Sequence, residues 1–298
     1  MSLAPICLFT YNRLNETKQT IQALQVNYLA QSSDLIIFSD AAKNDISKDD
    51  VNKVRAYISQ VSGFKSVTII ERKQNFGLAK SIIEGVTRII NEYGKIIVME
   101  DDLITSPNFL AYMNQGLSFY ESTPKIWSVT GFSFPIKYPE DYVFDNTFGV
   151  RASSWGWATW KDRWDLVDWN VSDYEAFLKD KKACKAFNRG GSDMCKMLND
   201  QMTGKINSWA IRFCYAQFIH GAYDAYPTKS KVKNVGFSGE ATHTRGMDKR
   251  FITTLDNSNQ VDFSFKLNIE IENNILKEFR KPYSILSRLK YKLLGLFK

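Results

Sequence analysis

The chain has 298 residues, of which 44% are hydrophobic and 14% aromatic, with a formal net charge of +7 at pH 7. This composition supports one large core or two smaller ones, and it excludes a disordered or collagen-like chain. Four cysteines without Cys-x-x-Cys spacing argue against a disulfide scaffold or a zinc site, and no apolar run is long enough to span a bilayer, so we expect a cytoplasmic protein.

Strand and helix patterns alternate from the start of the chain. Short runs rich in Ile, Val and Phe predict strands at 4–10, 34–40, 66–71 and 95–100. Helical patterns follow them at 15–25, 47–61, 77–94 and 106–120. Such alternation predicts an α/β fold, in which helices cover both faces of a parallel sheet and ligands bind at the carboxyl ends of its strands.

Two of these predicted helices carry start signals. Ser47 and Asp50 have the spacing of a capping box, and Ser106 stands as an N-cap ahead of Pro107.

Three consecutive carboxylates follow the fourth predicted strand: Glu100, Asp101 and Asp102. Carboxylates this close repel one another unless a cation or fixed hydrogen-bond donors compensate their charge. Mg²⁺ or Mn²⁺ takes oxygen ligands and commonly bridges to phosphates, which predicts a metal site here. Alternatively, Asp101 and Asp102 form only a polar loop before the next helix.

The usual phosphate-binding loops are absent. The segment after the first strand, CLFTYNRLNET, contains no glycine, which excludes both a Walker P-loop and a Gly-x-Gly-x-x-Gly turn. The remaining simple way to bind a diphosphate is through a metal ion, which carboxylates hold and which neutralises the phosphate charge.

The motifs ICLFTYNR, FSD, RKQNFGLAKSIIEGV and VMEDDL resemble, in this order, the nucleotide-binding half of GT-A glycosyltransferases. The acid triplet is similar to that of the N-acetylglucosaminyltransferase I family and of bacterial family 2-like relatives. This resemblance covers about residues 4–245. It implies a Rossmann-like, mostly parallel sheet flanked by helices and an inverting sugar transfer from a nucleotide-sugar, with Mn²⁺ or Mg²⁺ on the diphosphate.

The resemblance also implies a domain plan. A GT-A domain would span 1–270, with a nucleotide-sugar half at 1–104 and an acceptor half at 105–270, and a basic tail would span 271–298.

The resemblance further assigns donor-binding roles to Thr10, Asn12, Arg13, Asp40, Asn75, Gly77, Lys80, Glu100 and Asp101. Asp102 would ligate the metal directly, and Asp40 would bind the base, typically uracil. Each role has a plainer alternative: Asp40 begins a turn, and Arg13 and Lys80 are surface cations.

Five of the seven tryptophans fall between Trp155 and Trp169. We assign Trp155 and Trp157 to the acceptor side, where an indole face can stack on a sugar ring. The helical spacing of Trp157, Trp160 and Trp164 equally indicates core packing.

An inverting transfer requires a base for the acceptor hydroxyl. Glycosyltransferases of this kind place an Asp where this chain has Asn207 and Ser208, neither of which is a competent base. The candidates therefore stay open among Asp200, Asp193, Asn207 as a changed base, and Glu240. The resemblance also brings His243 to the metal.

The C-terminal residues 280–298 contain six Lys or Arg and no acid. Apolar residues recur there at helical spacing, which predicts a basic amphipathic helix on an anionic membrane surface. The alternative is a helix that docks on the core of the protein itself. Basic residues that are confined to the tail do not form a surface for binding the phosphates of a nucleic acid.

Together these features predict a metal-dependent transferase that moves a sugar from a UDP-sugar to a glycan or lipid-linked saccharide. We expect it at the inner face of the cytoplasmic membrane, in bacterial surface polysaccharide assembly. Two alternatives remain: a sugar-nucleotide pyrophosphorylase, and a non-catalytic protein that binds nucleotide-sugars or carbohydrates.

Overall fold

We describe the fold from a computed structural model, in which residues 2–236 and 250–296 are described. The strands of these residues are β1 (Ile6–Thr10), β2 (Asp34–Ser39), β3 (Ser66–Glu71), β4 (Lys95–Glu100), β5 (Leu103–Thr105), β6 (Ile126–Thr130), β7 (Asn146–Gly149), β8 (Trp157–Trp160), β9 (Tyr223–Pro227) and β10 (Val232–Asn234).

The α-helices of the same residues are α1 (Leu14–Gln25), α2 (Lys48–Ile58), α3 (Leu78–Tyr93), α4 (Phe109–Phe119), α5 (Lys161–Trp164), α6 (Tyr174–Lys179), α7 (Lys181–Phe187), α8 (Met194–Met202), α9 (Trp209–Ile219), α10 (Asn273–Arg280) and α11 (Ile285–Leu296).

An eight-stranded sheet with the order β3-β2-β1-β4-β8-β6-β9-β7 forms the centre of the protein. The first four strands along the chain pair in parallel, and β6 pairs in parallel with β9. Strands β8 and β7 run antiparallel to their neighbours. The predicted α/β class with a mostly parallel sheet is therefore confirmed, and the four predicted strands lie side by side.

Helices cover both faces of this sheet. In β1, Ile6 and Leu8 pack on one face with residues of α1, α2, α4 and α10, whereas Cys7 and Phe9 pack on the other with residues of α3 and α9. This alternation follows from the period of two in a strand, and it gives the sheet a core on each side.

The tryptophan-rich segment forms a strand where its spacing also suited a helix. Trp157 and Trp160 lie at the two ends of β8, which is inserted between β4 and β6. Because they are three residues apart in a strand, they point to opposite faces and join different core clusters. The prediction of core packing is confirmed for both, and the helical interpretation is wrong for this part.

The predicted N-cap position is confirmed for α2 and is wrong for α4. Ser47 is the N-cap of α2 but makes no side-chain cap, and the capping box belongs to Asn44, whose side chain accepts a hydrogen bond from the Ser47 backbone N–H. Helix α4 begins at Phe109 after Asn108, and Ser106 donates its hydroxyl hydrogen to Asn108 Oδ1. In each case a short turn precedes the helix, which sequence spacing does not reveal.

The predicted tail consists of two unlike parts. Helix α10 buries Ile275, Leu276 and Phe279 against the core, and Phe279 meets Tyr226 edge-on at 4.7 Å between ring centroids. At the start of α11, in contrast, Ile285, Leu286 and Leu289 are exposed. Helix α10, which precedes the segment 280–298, is thus the helix that docks on the core. Helix α11 lies in that segment and exposes these apolar residues, and its membrane contact stays a prediction. Among the described residues, no helix has the length and apolar content needed to cross a bilayer.

All four cysteines are free thiols, as expected. Cys184 on α7 and Cys195 on α8 lie in contact, with 2.7 Å between the sulfur atoms.

Asp224 in β9 gives the fold a testable dependence on pH. This carboxyl is fully buried, accepts a hydrogen bond from Ser128, and has no hydrogen-bond partner at Oδ2. Burial raises the pKa of Asp224 from 3.8 to about 7, against the opposite effects of Ser128 and Gln217. The folded protein thus retains a proton that the unfolded chain releases, so the free energy of unfolding falls as pH rises between these values.

We expect Asp224→Asn to remove this dependence, because the amide is neutral at every pH. At about pH 8 the variant should be more stable by up to about 4 kcal/mol, given about 1.4 kcal/mol for each pKa unit. Urea denaturation at about pH 5 and pH 8 measures this, with Asp141→Asn at an exposed position as the control. An unchanged pH dependence in Asp224→Asn would contradict the assignment.

Candidate functional site

A cleft of about 1110 Å³ lies at the carboxyl ends of β1, β2 and β4. Parallel pairing brings these ends to one edge, since Phe9 pairs with Glu100 and Thr10 pairs with Ser39. Ten of the predicted residues line this cleft: Thr10, Asn12, Arg13, Asp40, Asn75, Gly77, Glu100, Asp101, Asp102 and Trp155.

The acid triplet lies at the floor of the cleft and is bridged by Arg13. Arg13 Nη2 donates to Asp101 Oδ1, and Arg13 Nη1 donates to Asp102 Oδ2 at 3.0 Å. The backbone N–H of Tyr11 donates to the other oxygen of Asp101 at 3.3 Å. Arg13 is therefore not the surface cation of the alternative interpretation, because it links the loop after β1 to the turn after β4.

Burial decides the protonation of the first two acids. It raises the pKa of Glu100 to about 8, with further increases from the charges of Asp102 and Asp101. Burial also raises the pKa of Asp101 to about 6, although the charge and hydrogen bond of Arg13 oppose this. In Arg13 itself the two carboxylates outweigh burial and raise the pKa. A nearby cation would therefore favour the ionised form of Glu100 at neutral pH.

The triplet retains one carboxylate oxygen that suits a hard cation. Asp102 Oδ1 is buried and has no hydrogen-bond partner, which is uncommon for a carboxylate oxygen inside a protein. Oxygen ligands of this kind suit Mg²⁺ or Mn²⁺. Within residues 2–236 and 250–296, no group of three His, Cys, Asp or Glu side chains converges on a metal position. Asp102 therefore fits a cation whose other ligands come from a donor molecule, water or residues outside the described ranges.

The end of β10 covers the triplet. Val235 N donates to the backbone oxygen of Asp102 at 2.8 Å. At Gly236 a Cβ atom would overlap Asp102 Oδ2 and lie 2.8 Å from Arg13 Nη1, so this close approach requires glycine. The predicted Glu240 and His243 follow Gly236 in the sequence and lie outside the described residues.

Asp40 holds the rim of the cleft. Its carboxylate accepts hydrogen bonds from the backbone N–H groups of Phe76 and Gly77, both at 2.9 Å, and from Ala41 at 3.0 Å. Asn75 closes the same loop by donating to the Ala41 oxygen at 2.7 Å. The alternative interpretation of Asp40 as a turn residue thus describes its contacts, and its negative charge also stabilises the start of α3.

Lys80 does not reach the cleft. Its side chain is 54% exposed, pairs with Glu84 at 3.6 Å and lies over the ring of Phe76 at 4.5 Å. Leu78 and Ser81 are the α3 residues that line the cleft. The helical turn directs position 80 away from that face, so its donor-binding role is not supported.

The two tryptophans assigned to the acceptor side have different surroundings. Trp155 lines the cleft, where its ring meets Phe132 edge-on at 4.7 Å and Phe251 at 5.7 Å between centroids. Trp157 is only 1% exposed and stacks on Trp209 at 4.7 Å. A sugar therefore cannot reach Trp157, and that assignment is wrong.

The structure does not bring the proposed bases Asp200 and Asn207 to the cleft. Asp200 lies on α8, where its carboxylate pairs with Lys196 and is 4.0 Å from Lys205. Asn207 lies in the turn before α9. Asp193 pairs with Arg151 at 2.8 Å. Local ion pairs and helix packing thus account for these positions, and neither of the first two lines the cleft.

Several cleft residues were missed by the sequence analysis. Tyr11, Glu16, Lys43, Asp50 and Lys53 line the wall beside the loops after β1 and β2. Tyr11 follows the predicted strand directly and could have been found from that position. Asp50 and Lys53 form an ion pair on α2, and nothing in their helical pattern distinguishes them from solvated residues.

Searches against known proteins agree with this geometry. The sequence model of the family described as Glycosyl transferase family 2 matches residues 6–131, which contain β1 to β6 and the acid triplet. No curated protein matches the chain.

Solved glycosyltransferases are among the similar structures. Mannosyltransferase PcManGT from Pyrobaculum calidifontis, in complex with GDP-Man and Mn²⁺, has a TM-score of 0.39 and 10% identity, with 73% of this chain and 68% of that chain covered. S. aureus TarS 1–349 has a TM-score of 0.38 and 9% identity, with 76% of this chain and 60% of that chain covered.

The family match covers β1, β4 and the acid triplet that they position, and the sheet has the predicted mostly parallel order. Residues 6–131 are therefore similar to Glycosyl transferase family 2.

Proposed function

We propose that the cleft binds a nucleoside diphosphate sugar together with a divalent cation, and that the sugar passes to a glycan acceptor. The observation that carries this proposal is the buried Asp102 Oδ1, which has no partner at the floor of a 1110 Å³ cleft. A divalent cation would balance the negative charge of this oxygen. A diphosphate would supply further oxygen ligands to the cation.

Asp102 would hold the Mn²⁺ or Mg²⁺ ion, with His243 as a further candidate ligand. When bound, such an ion neutralises the negative charge that develops on a diphosphate leaving group. Arg13 holds Asp101 and the other oxygen of Asp102 in place. Because 37% of the Arg13 side chain remains exposed in the cleft, its guanidinium also offers positive charge to an anionic donor.

Uracil is the base that the family resemblance favours. Asp40 already engages three backbone N–H groups, so we propose that it shapes the base pocket by holding the loop at Phe76 and Gly77. Any contact of Asp40 with the ring N–H would use its remaining lone pairs.

We retain Glu240 as the candidate base for an inverting transfer. It stands four residues after Gly236 in the sequence, and an extended chain spans at most about 3.5 Å per residue. Gly236 itself lines the cleft. Trp155 is the candidate platform for the acceptor sugar.

The acceptor we propose is a saccharide linked to a lipid at the inner face of the cytoplasmic membrane, as in bacterial surface polysaccharide assembly. Helix α11 supports this placement, since Ile285, Leu286 and Leu289 are exposed. Arg288 and Lys290 lie on the same helix, and each cation near an anionic surface contributes about 1 kcal/mol to binding.

We expect Asp102→Asn to lower the Mn²⁺-dependent affinity for UDP at least about tenfold, because the amide removes the charge of the candidate ligand. Isothermal titration calorimetry with and without Mn²⁺ measures this change. Asp200→Asn is the matched control, since it makes the same change outside the cleft. Equal Mn²⁺-dependent affinities in wild type and a correctly folded Asp102→Asn variant would refute the metal site.

We expect bound UDP to change tryptophan fluorescence through Trp155, the cleft-lining tryptophan among the described residues. Trp155→Phe should remove most of the UDP-dependent change while leaving the affinity for UDP within a few-fold. Trp169→Phe is the control, because that residue packs on Trp164 away from the cleft lining. A signal that persists in Trp155→Phe would place the nucleotide elsewhere.

We expect deletion of residues 285–298 to reduce co-sedimentation with anionic vesicles several-fold, because it removes α11 and its exposed apolar residues. This deletion retains α10, whose buried side chains support the core, so the melting temperature should change little. The truncated protein should also keep its UDP affinity. Undiminished sedimentation would exclude α11 as the membrane contact.

A further inference from the structure

Three arginines from distant parts of the chain meet near Tyr283. Arg151 follows β7, Arg250 opens the second described range, and Arg288 lies on α11. The Arg151 guanidinium lies over the Tyr283 ring at 3.8 Å. Arg250 lies over the ring of Phe251, which contacts Tyr283 at 5.6 Å between centroids, so Arg250 belongs to the same group.

Asp193 is a carboxylate of this group that pairs with Arg151 and also acts electrostatically on Arg250. Asp193 accepts two hydrogen bonds from Arg151, at 2.8 and 3.3 Å. Arg288 donates to the hydroxyl of Ser192 at 3.2 Å, and its Nε is buried without a hydrogen-bond partner. No described carboxylate lies within ion-pairing distance of Arg288. A buried guanidinium N–H without an acceptor is costly, and an anion beside it would remove that cost.

Neighbouring contacts hold the group in a fixed arrangement. Ser192 donates its hydroxyl hydrogen to the Tyr283 backbone oxygen at 2.7 Å, which ties the loop before α8 to the segment before α11. At Gly191 a Cβ atom would overlap Arg151 Nη1, so a glycine is needed for this approach. Burial lowers the pKa of Arg250, the charges of Tyr283 and Asp193 oppose this, and those of Arg151 and Arg288 add to it. The arginines thus affect one another in a partly dehydrated place that also holds one carboxylate.

The arginine group and the cleft are joined by a row of aromatic rings. Trp155 at the cleft contacts Phe251 at 5.7 Å between centroids, and Phe251 contacts Tyr283 at 5.6 Å. Arg250 lies over the Phe251 ring at 4.5 Å. Arg288 lies on α11, which also carries the exposed Leu286 and Leu289. The arginine group is therefore connected both to the candidate acceptor platform and to the helix of the candidate membrane contact.

We propose that Arg151, Arg250 and Arg288 form a second anion site, separate from the donor cleft, which binds the phosphate or diphosphate group of the acceptor. Guanidinium groups match phosphate oxygens in geometry and charge. This inference rests on the proposed function, since a phosphate carried on a lipid-linked saccharide would lie between membrane and cleft. A soluble sugar phosphate presents the same chemistry.

Binding of inorganic pyrophosphate tests the site directly. Calorimetry in EDTA suppresses metal-dependent binding at the acid triplet. We expect Arg288→Gln to lower the affinity for pyrophosphate roughly tenfold, which is the contribution of one charge-assisted hydrogen bond. Lys290→Gln removes the same charge from an exposed position of the same helix and should change the affinity less than about twofold. Arg288→Lys should restore part of the affinity. Equal affinities in Arg288→Gln and Lys290→Gln, or no binding by wild type, would overturn the proposal.

Vesicles distinguish the two sources of the anion. With phosphatidylcholine vesicles that contain farnesyl diphosphate, a larger loss of sedimentation in Arg288→Gln than in Lys290→Gln assigns the site to lipid-linked diphosphates. If only soluble pyrophosphate discriminates the two variants, the site binds a soluble phosphate.

Failure here is distinguishable from failure of the transferase proposal. Mn²⁺-dependent UDP binding reports on Asp102 and should be unchanged in Arg288→Gln. If Arg288→Gln and Lys290→Gln bind pyrophosphate equally and UDP binding is intact, only the second site is refuted.

Discussion

The ion pairs of Arg13 with Asp101 and Asp102 determine the floor of the cleft. They join two loops that follow neighbouring strands, β1 and β4, and so fix the distance between the walls that those loops form. They also determine how much negative charge remains. Asp101 is satisfied by Arg13 and by the backbone of Tyr11, whereas Asp102 keeps one buried oxygen without a partner. A divalent cation at this place would therefore complete an existing arrangement and would not need to break it.

The carboxylates of the cleft divide by what they bind. Asp40 and Asp101 accept hydrogen bonds from the protein itself, and these bonds position the rim and the floor. Burial favours the protonated form of Glu100, which leaves Asp102 as the carboxylate best suited to an external cation. Crowding of acids at the end of β4 thus combines a structural role with the binding role that we propose for Asp102. Because these acids are neighbours, they do not titrate independently, and the charge of one affects the protonation of another.

The sequence predicted the first half of the fold well because its signals are local. Alternating runs and helical periods identify β1 to β4 and α1 to α4, and parallel pairing then brings their carboxyl ends together. The partners of single side chains depend instead on contacts between distant residues. Arg13 and Asp102 are 89 positions apart, and Arg151 and Asp193 are 42 positions apart. The directions of Lys80 and Trp157 were misjudged for a related reason, since a helix or strand has several faces and residue type alone does not choose one.

Docking of α10 has a consequence for how the protein could lie on a membrane. A tail that was amphipathic throughout would tether the domain loosely, whereas Phe279 and Ile275 fix the segment before α11 to the core. Ser192 and Arg288 then hold the start of α11 beside the loop before α8. The exposed apolar residues of α11 therefore keep a defined relation to Trp155 and the cleft. Insertion of those residues into a bilayer would therefore also orient the cleft, because the helix cannot turn without breaking the contact of Arg288 with Ser192.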